Sequence, residues 1–198
     1  MPASKALLVV DIQNDFCPGG SLGVKDGDQI IPVINQYVQL FLKSNLPVFV
    51  SRDWHPPNTK HFQQFGGPWP IHCVQHTKGG GFHPDFRVPD KAIIVSKGTD
   101  PQLDGYSVFE AIDAENKPFP EILKNLAISE LYIAGIATDY CVKFTAIDAL
   151  KKGLKLTVLV DAIKGVNEEA SEQTLKEISA KKAKLKTLLE VKKELHKI

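Results

Sequence analysis

The chain has 198 residues, with 24 Lys and Arg against 23 Asp and Glu, and 43% of its residues are hydrophobic. Such a length and composition suit one ordinary globular core and exclude disorder, collagen and coiled coil as the main class. A formal net charge of +1 supplies no field for nucleic acid or an anionic membrane, so neither partner is expected.

Residues 6–10, Ala-Leu-Leu-Val-Val, form a continuous apolar run that ends at Asp11, as suits a strand covered on both faces. Apolar positions from Ile30 to Leu42 predict a helix over residues 29–42. Further strands are predicted over residues 47–51, ending at Asp53; over 92–95, ending at Lys97; over 131–134, ending at Gly135; and over 156–160, ending at Asp161. A helix over residues 138–150 follows the fourth run directly. Strands alternating with helices predict an α/β protein with a parallel sheet. In such sheets ligands bind beyond the carboxyl ends of the strands, so these end residues are expected to face one crevice.

Residues 54–89 interrupt the alternation with many Pro, Gly and His residues and no sustained period, an unusually long connection of the kind that often carries function. Residues 168–198 read by propensity as one long helix, but residues 184–189 also fit a short edge strand with its lysines facing solvent. Helix, short strand and terminal helical turn are expected there, with the lysines from Lys181 to Lys197 as a solvated face. No repeat or flexible linker divides the chain, and residues 1–198 are read as a single domain. The apolar runs are far shorter than the roughly 20 residues a bilayer requires. No basic-then-apolar leader precedes them, and three cysteines, Cys17, Cys73 and Cys141, make no disulfide framework. A cytoplasmic location is expected.

Cys141 stands where a strand ends at Gly135 and a helix starts, with Thr138 or Asp139 available as its cap. In the first turn of a helix, free N–H groups and the macrodipole lower a thiol's pKa and can stabilise an oxyanion. The plain alternative is a small buried hydrophobe. Asp11 and Lys97 end strands expected to lie side by side; a carboxylate can take the thiol proton, and a lysine can keep that carboxylate ionised. Asp53 and His55 share one side of an extended segment. With His61 and His72 they form a donor set suited to zinc, ferrous iron or manganese, or else ordinary loop residues. An ion there would also account for how the long loop is held, and its removal is expected to loosen His72 and the loop while sparing the core. Cys17 and Cys73 are read as packing residues, and His76, His83 and His196 as ordinary ones.

Five ordered segments resemble the nicotinamidase branch of the isochorismatase-like cysteine hydrolases: residues 9–22 (Val-Val-Asp-Ile-Gln-Asn-Asp-Phe-Cys-Pro-Gly-Gly-Ser-Leu), 53–57 (Asp-Trp-His-Pro-Pro), 69–73 (Trp-Pro-Ile-His-Cys), 97–100 (Lys-Gly-Thr-Asp) with Tyr106-Ser107, and 135–142 (Gly-Ile-Ala-Thr-Asp-Tyr-Cys-Val). The resemblance implies a three-layer αβα fold around a central, mainly parallel sheet. It implies a catalytic triad of Asp11, Lys97 and Cys141, and oxyanion donors at Ala137 and Cys141 beside a cis Ile136–Ala137 peptide. Phe16, Trp69, Tyr106 and Ile136 would bind substrate. One divalent ion, zinc in the first place with iron or manganese as the other candidates, would be held by Asp53, His55 and His72 and would take the ring nitrogen of nicotinamide. Residues 58–62, Asn-Thr-Lys-His-Phe, depart from the family's frequent Asn-His-Ser-like sequence, so His61 is either a fourth ligand, as in some members, or a solvated neighbour. Lys181-Lys182 replaces a frequent Ala-Gly and leaves the C-terminal register open.

The expected activity is therefore hydrolysis of nicotinamide to nicotinate and ammonia through a thioester, in NAD salvage, with pyrazinamide as a further substrate. An isochorismatase or N-carbamoyl amidohydrolase lacks the metal trio. A metal-stabilised binding module would not require Asp11, Lys97 and Cys141 together. Assembly of identical chains is left open.

Overall fold

Strand β1 (Ser4–Val10) is apolar on both faces, and the rest of the chain is arranged to cover it. In the computed structural model, which describes residues 4–195, Leu7 and Val9 join one apolar cluster while Ala6, Leu8 and Val10 join another, following the two-residue period of a strand. The first face is covered by α1 (Ile31–Lys43), through Ile34, Val38 and Phe41, and by α5 (Leu188–Leu195), through Val191 and Leu195. The second is covered by α2 (Phe119–Asn125), α3 (Lys143–Lys151) and α4 (Glu168–Ala180), through Phe119, Ala146 and Ile178 among others. The fold is thus the expected three-layer αβα. Helix α2 lies outside the sequence expectation, because seven residues are too few for a clear 3.6-residue period; Pro120 in its first turn is the one local signal.

The sheet has six strands in the order β3-β2-β1-β4-β5-β6, every pair parallel, with β2 (Val48–Asp53), β3 (Ile93–Lys97), β4 (Ile128–Ile136), β5 (Lys155–Lys164) and β6 (Lys184–Lys186). From the central β1 the chain first builds outward through β2 and β3, then returns to β4 and builds the other way. The order reverses between β1 and β4, and a crevice opens at the carboxyl ends there. Asp11 follows β1 and Cys141 follows β4, so the topology brings them to that crevice.

The strand order corrects one expectation: β1 and β3 are not neighbours, because β2 lies between them. Asp53 of β2 is paired in register with Lys97 of β3, and the long lysine side chain reaches past it to Asp11. A second correction concerns Asp161, which does not end its strand. The β4/β5 register shifts after Ile133, and β5 continues to Lys164. Asp161 faces the α1/α5 layer, accepting hydrogen bonds from Tyr37 Oη at 2.7 Å and from the Leu188 N–H that opens α5 at 2.8 Å.

The helix after β4 opens with a π-helical turn, Thr138–Val142, and neither Thr138 nor Asp139 caps it. The Asp139 carboxylate instead accepts the N–H groups of Val166 and Asn167, both at 2.9 Å, tying down the segment after β5. At the C-terminus the helix and edge strand occur as expected, while the terminal helical turn is an eight-residue helix, α5. Lys186 does not point freely into solvent, however; it is half-buried against Glu194. Among the described residues no helix is long and apolar enough to cross a membrane, and His196 and Lys197 lie outside those residues.

Candidate active site

Lys97 ends β3 with its side chain fully buried. Its Nζ lies 2.8 Å from Asp11 Oδ2, donates to Asp53 Oδ1, and lies 3.3 Å from Cys141 Sγ. Asp11 adopts a left-handed backbone with φ 51°, and its other oxygen accepts Ser51 Oγ–H at 2.6 Å. The arrangement brings Asp11, Lys97 and Cys141 together as the sequence suggests, with Asp53 as a fourth member.

Burial acts on all of these charges, and their neighbours decide the outcome. It pushes the Asp11 carboxyl above the usual carboxylate range, aided by Asp53 and opposed by Lys97 and Ser51. Burial also disfavours ionised Asp53, yet Lys97 and His55 hold that carboxyl well below its ordinary value. Burial works against a charged Lys97 too, but the two carboxylates keep its ammonium well above the usual range. For Cys141 burial prevails over the pull of Lys97, so the thiol lies well above its ordinary value. That direction is opposite to the one expected from the helix start alone, and it gives a base beside the sulfur a proton to take.

Beside this group, His55, His61 and His72 each offer a ring nitrogen within 4.8 Å of the others. Asp53 Oδ2 lies 3.6 Å from His55 Nε2 and 4.0 Å from His72 Nε2. Each ring is engaged through Nδ1 by an acceptor outside the group: Gly98 O at 3.1 Å, Asp104 Oδ1 at 2.9 Å and Pro70 O at 2.7 Å for His55, His61 and His72 respectively. An Nδ1–H so bonded leaves Nε2 as a lone-pair nitrogen, the form a metal ion requires. His55 Nε2 is buried without a hydrogen-bond partner, and burial holds His72 down to about 4 and lowers His61, so both stay neutral. Three neutral imidazoles and a carboxylate fit a divalent transition-metal ion. Gly98 is needed here, because at its φ of +65° a Cβ would sit 2.4 Å from the His55 ring.

A cavity of about 440 Å³ opens onto both groups. Phe16, Trp69, Tyr106, Ile136 and Ala137 line it as anticipated, with His61, His72, Asp53 and Cys141 on its wall. Trp69 Nε1–H donates to Tyr106 Oη at 2.7 Å, and Phe16 packs on His72 with ring centres 5.7 Å apart. The Ile136–Ala137 peptide is cis. The expectation for Cys17 and Cys73 agrees with their position as buried free thiols in one apolar cluster. His76 packs on Trp54 and His83 lies near Asp85, outside the site.

Several residues of the site escape the sequence reading. Tyr140, Leu22, Val24 and Val166 also line the cavity. Gln13 clamps Asp53 by accepting its N–H at 2.7 Å and donating Nε2–H to its carbonyl at 2.8 Å and to Gly80 O at 2.8 Å. Asp15 Oδ2 accepts the Cys73 N–H at 2.7 Å, and Asn14 Nδ2 donates to Lys78 O at 2.7 Å. The long loop is therefore held by side chains of residues 13–15 and by backbone bonds such as His55 N–H to Cys73 O at 3.0 Å, rather than by an ion alone. Gln13 and Asp15 stand inside the first family-like segment, which is the only sequence signal for them.

Residues 5–188 match the isochorismatase domain. A nicotinamidase of Escherichia coli (strain K12) is 39% identical over 202 residues, spanning 93% of this chain and 95% of that protein. Among solved structures, the pyrazinamidase of Pyrococcus horikoshii in complex with zinc is 42% identical with a TM-score of 0.87, spanning 93% of this chain and 99% of that one. PnC1 from L. infantum in complex with nicotinate is 31% identical with a TM-score of 0.81, spanning 93% of each chain.

Proposed function

The chain belongs to the isochorismatase family, and on that premise we propose that it is a nicotinamidase, hydrolysing nicotinamide to nicotinate and ammonia through a thioester on Cys141. The observation that carries this reading is one buried ammonium, Lys97, reaching the Asp11 carboxylate and the Cys141 sulfur together. A carboxylate, a cation and a thiol at one cavity wall supply a base, a charge-balancing group and a nucleophile. The nicotinamidase of Escherichia coli and the PnC1–nicotinate complex support the choice of substrate.

As Cys141 sulfur bonds to the amide carbon, Asp11 takes the thiol proton and the carbonyl electron pair moves onto oxygen. The backbone N–H groups of Ala137 and Cys141 are the donors assigned to that oxyanion. When the C–N bond breaks, Asp11 returns the proton to the departing nitrogen, giving ammonia and a thioester. Water then attacks, losing a proton to Asp11; the C–S bond breaks and the sulfur recovers that proton. Asp11, with its carboxyl raised by burial, is suited to carry a proton both ways, and Lys97 stays cationic throughout. Asp53, His55, His61 and His72 would hold one divalent ion, zinc by analogy with the Pyrococcus horikoshii protein, which when bound would supply a Lewis acid for the pyridine nitrogen. Phe16 and Trp69, both on the cavity wall, would flank the ring, and the Tyr106 hydroxyl accepts the Trp69 Nε1–H.

Acid-quenched protein turning over nicotinamide is expected to carry a nicotinoyl mass on the peptide containing Cys141. Cys141→Ala is expected to fold normally, show no adduct and lose ammonia release by about 10³-fold or more. Near-native ammonia release by Cys141→Ala would remove the covalent mechanism.

A further inference from the structure

His55 and His72 are each held from behind by a backbone carbonyl, but His61 is held by a side chain, Asp104. An imidazole turned over about its Cβ–Cγ bond exchanges Nδ1 with Cδ2 and Nε2 with Cε1, and such terminal torsions have two comparable wells. Packing does not separate the two states for His61. Its ring lies stacked 4.8 Å from the His55 ring and edge-to-face 5.4 Å from that of Tyr106, contacts that a nearly symmetric five-membered ring makes either way up. The bond to Asp104 Oδ1 at 2.9 Å does separate them, because only one orientation presents Nδ1–H to the carboxylate and leaves Nε2 as the free nitrogen.

We propose that Asp104 is a positioning residue for metal retention: its carboxylate holds His61 in the ligating orientation and tautomer, so that the ion is kept by four protein side chains rather than three. The proposal rests on the metal centre assigned above. Asp104 is well placed for this because its loop is docked independently, through the Lys60 N–H to Pro101 O at 2.9 Å. The Asp104 side chain is 61% exposed although the His61 ring is only 3% exposed, so water can take the carboxylate's place at Nδ1 and little folding free energy is lost with it. Its loss is therefore expected to leave the chain folded and to be read at the metal instead.

The test is zinc affinity of the full-length, metal-stripped protein, measured by competition with a chromogenic chelator, with far-ultraviolet circular dichroism as the folding control. Asp104→Ala is expected to bind zinc about 10- to 100-fold more weakly, the range for losing a partner of a ligating histidine. Asp104→Asn, whose amide oxygen still accepts Nδ1–H, is expected to retain most of the affinity. His61→Ala/Asp104→Ala is expected to bind no more weakly than His61→Ala, because Asp104 acts only through that ring. Long-range 1H–15N spectra of the metal-free protein are expected to show the Nδ1–H tautomer at His61 in the wild type and Asp104→Asn, and a mixture in Asp104→Ala. Wild-type zinc affinity in Asp104→Ala, or a double variant weaker than His61→Ala, overturns the assignment. If His55→Ala loses zinc while Asp104→Ala keeps it, this proposal alone falls; if His55→Ala also keeps zinc, the metal centre falls and the proposal with it.

Discussion

Lys97 serves two carboxylates and a thiol from one buried nitrogen, so the residues around it are expected to act as a unit. Asp11→Asn leaves no group to take the thiol proton, and Lys97→Ala leaves two buried carboxylates without a cation. The double variant Asp11→Asn/Lys97→Ala is expected to have a kcat/KM close to that of Asp11→Asn alone; losses that add fully in free energy would contradict the shared role. Gln13 makes a different prediction, because its three bonds all go to backbone groups of Asp53 and Gly80. Gln13→Ala leaves buried donors and acceptors unpaired and is expected to lower stability by about 3 kcal/mol, read from the urea midpoint, at the scale of a few such groups. The contrast also shows what the sequence discloses at this scale. Asp11, Asp53 and Lys97 are legible because each polar residue stops an apolar run. Gln13 and Ser51 are not, because each bonds to a residue 40 positions away and leaves no local pattern.

Among the elements, α5 is fastened by Glu194, which accepts from Tyr132 Oη at 2.6 Å and pairs with Lys5 and Lys186. Burial alone would raise this carboxyl, but the two lysines and the tyrosine hold it down to about 2, against an ordinary value of 4.5. A depressed carboxyl stabilises the fold fully above its unfolded pKa and loses that contribution as pH falls toward the folded one. Stability is therefore expected to decline between about pH 4.5 and pH 2 through this group. Glu194→Gln, followed by urea denaturation across that range, is expected to be less stable than the wild type at pH 7 and to show a shallower decline. A decline equal to the wild type's would mean that the ion pairs do not hold α5. The edge strand and its flanking helices are legible from propensity and lysine pattern. The buried partner of Lys186 is not, since charge along a segment says nothing about which distant carboxylate it meets.

At the scale of the whole molecule, the sheet is held by its strand pairing and the loop by side chains of residues 13–15 and backbone bonds, so less of the loop is expected to loosen on metal loss than the sequence implied. Chelated protein is expected to keep near-native circular dichroism, and the amides of His55 and Gln75, bonded to Cys73 O and His55 O, are expected to stay protected from exchange. Nicotinamidase activity is expected to fall on chelation and return with metal. Benzamide, which has the ring and amide without the ring nitrogen, is expected to be a poorer substrate by as much as about 10⁴-fold, the scale on which a site built for a polar partner rejects an analogue that lacks it. Equal turnover of benzamide and nicotinamide would deny the metal its orienting role. The alternation of strands and helices makes the layered α/β class legible in the sequence. Strand order is not, because each apolar run suits any central position equally well, and for that reason β1 and β3 read as neighbours until β2 is seen between them.

The reversal of strand order also bears on how the chain is made. Residues 4–97 complete β1, β2 and β3, yet β1 keeps one hydrogen-bonding edge open until residues 128–136 arrive to form β4. At about 5–20 residues per second on a ribosome, that interval from β1 to β4 lasts roughly ten seconds, during which the centre of the finished sheet is a bare, apolar rim. A nascent chain halted after residue 97 is expected to be retained by chaperones or to aggregate, and one extended through residue 164 to be released, which ribosome-stalled lengths scored for chaperone crosslinking would show. The strand that contributes the acid to the crevice is thus the one longest in need of protection during synthesis.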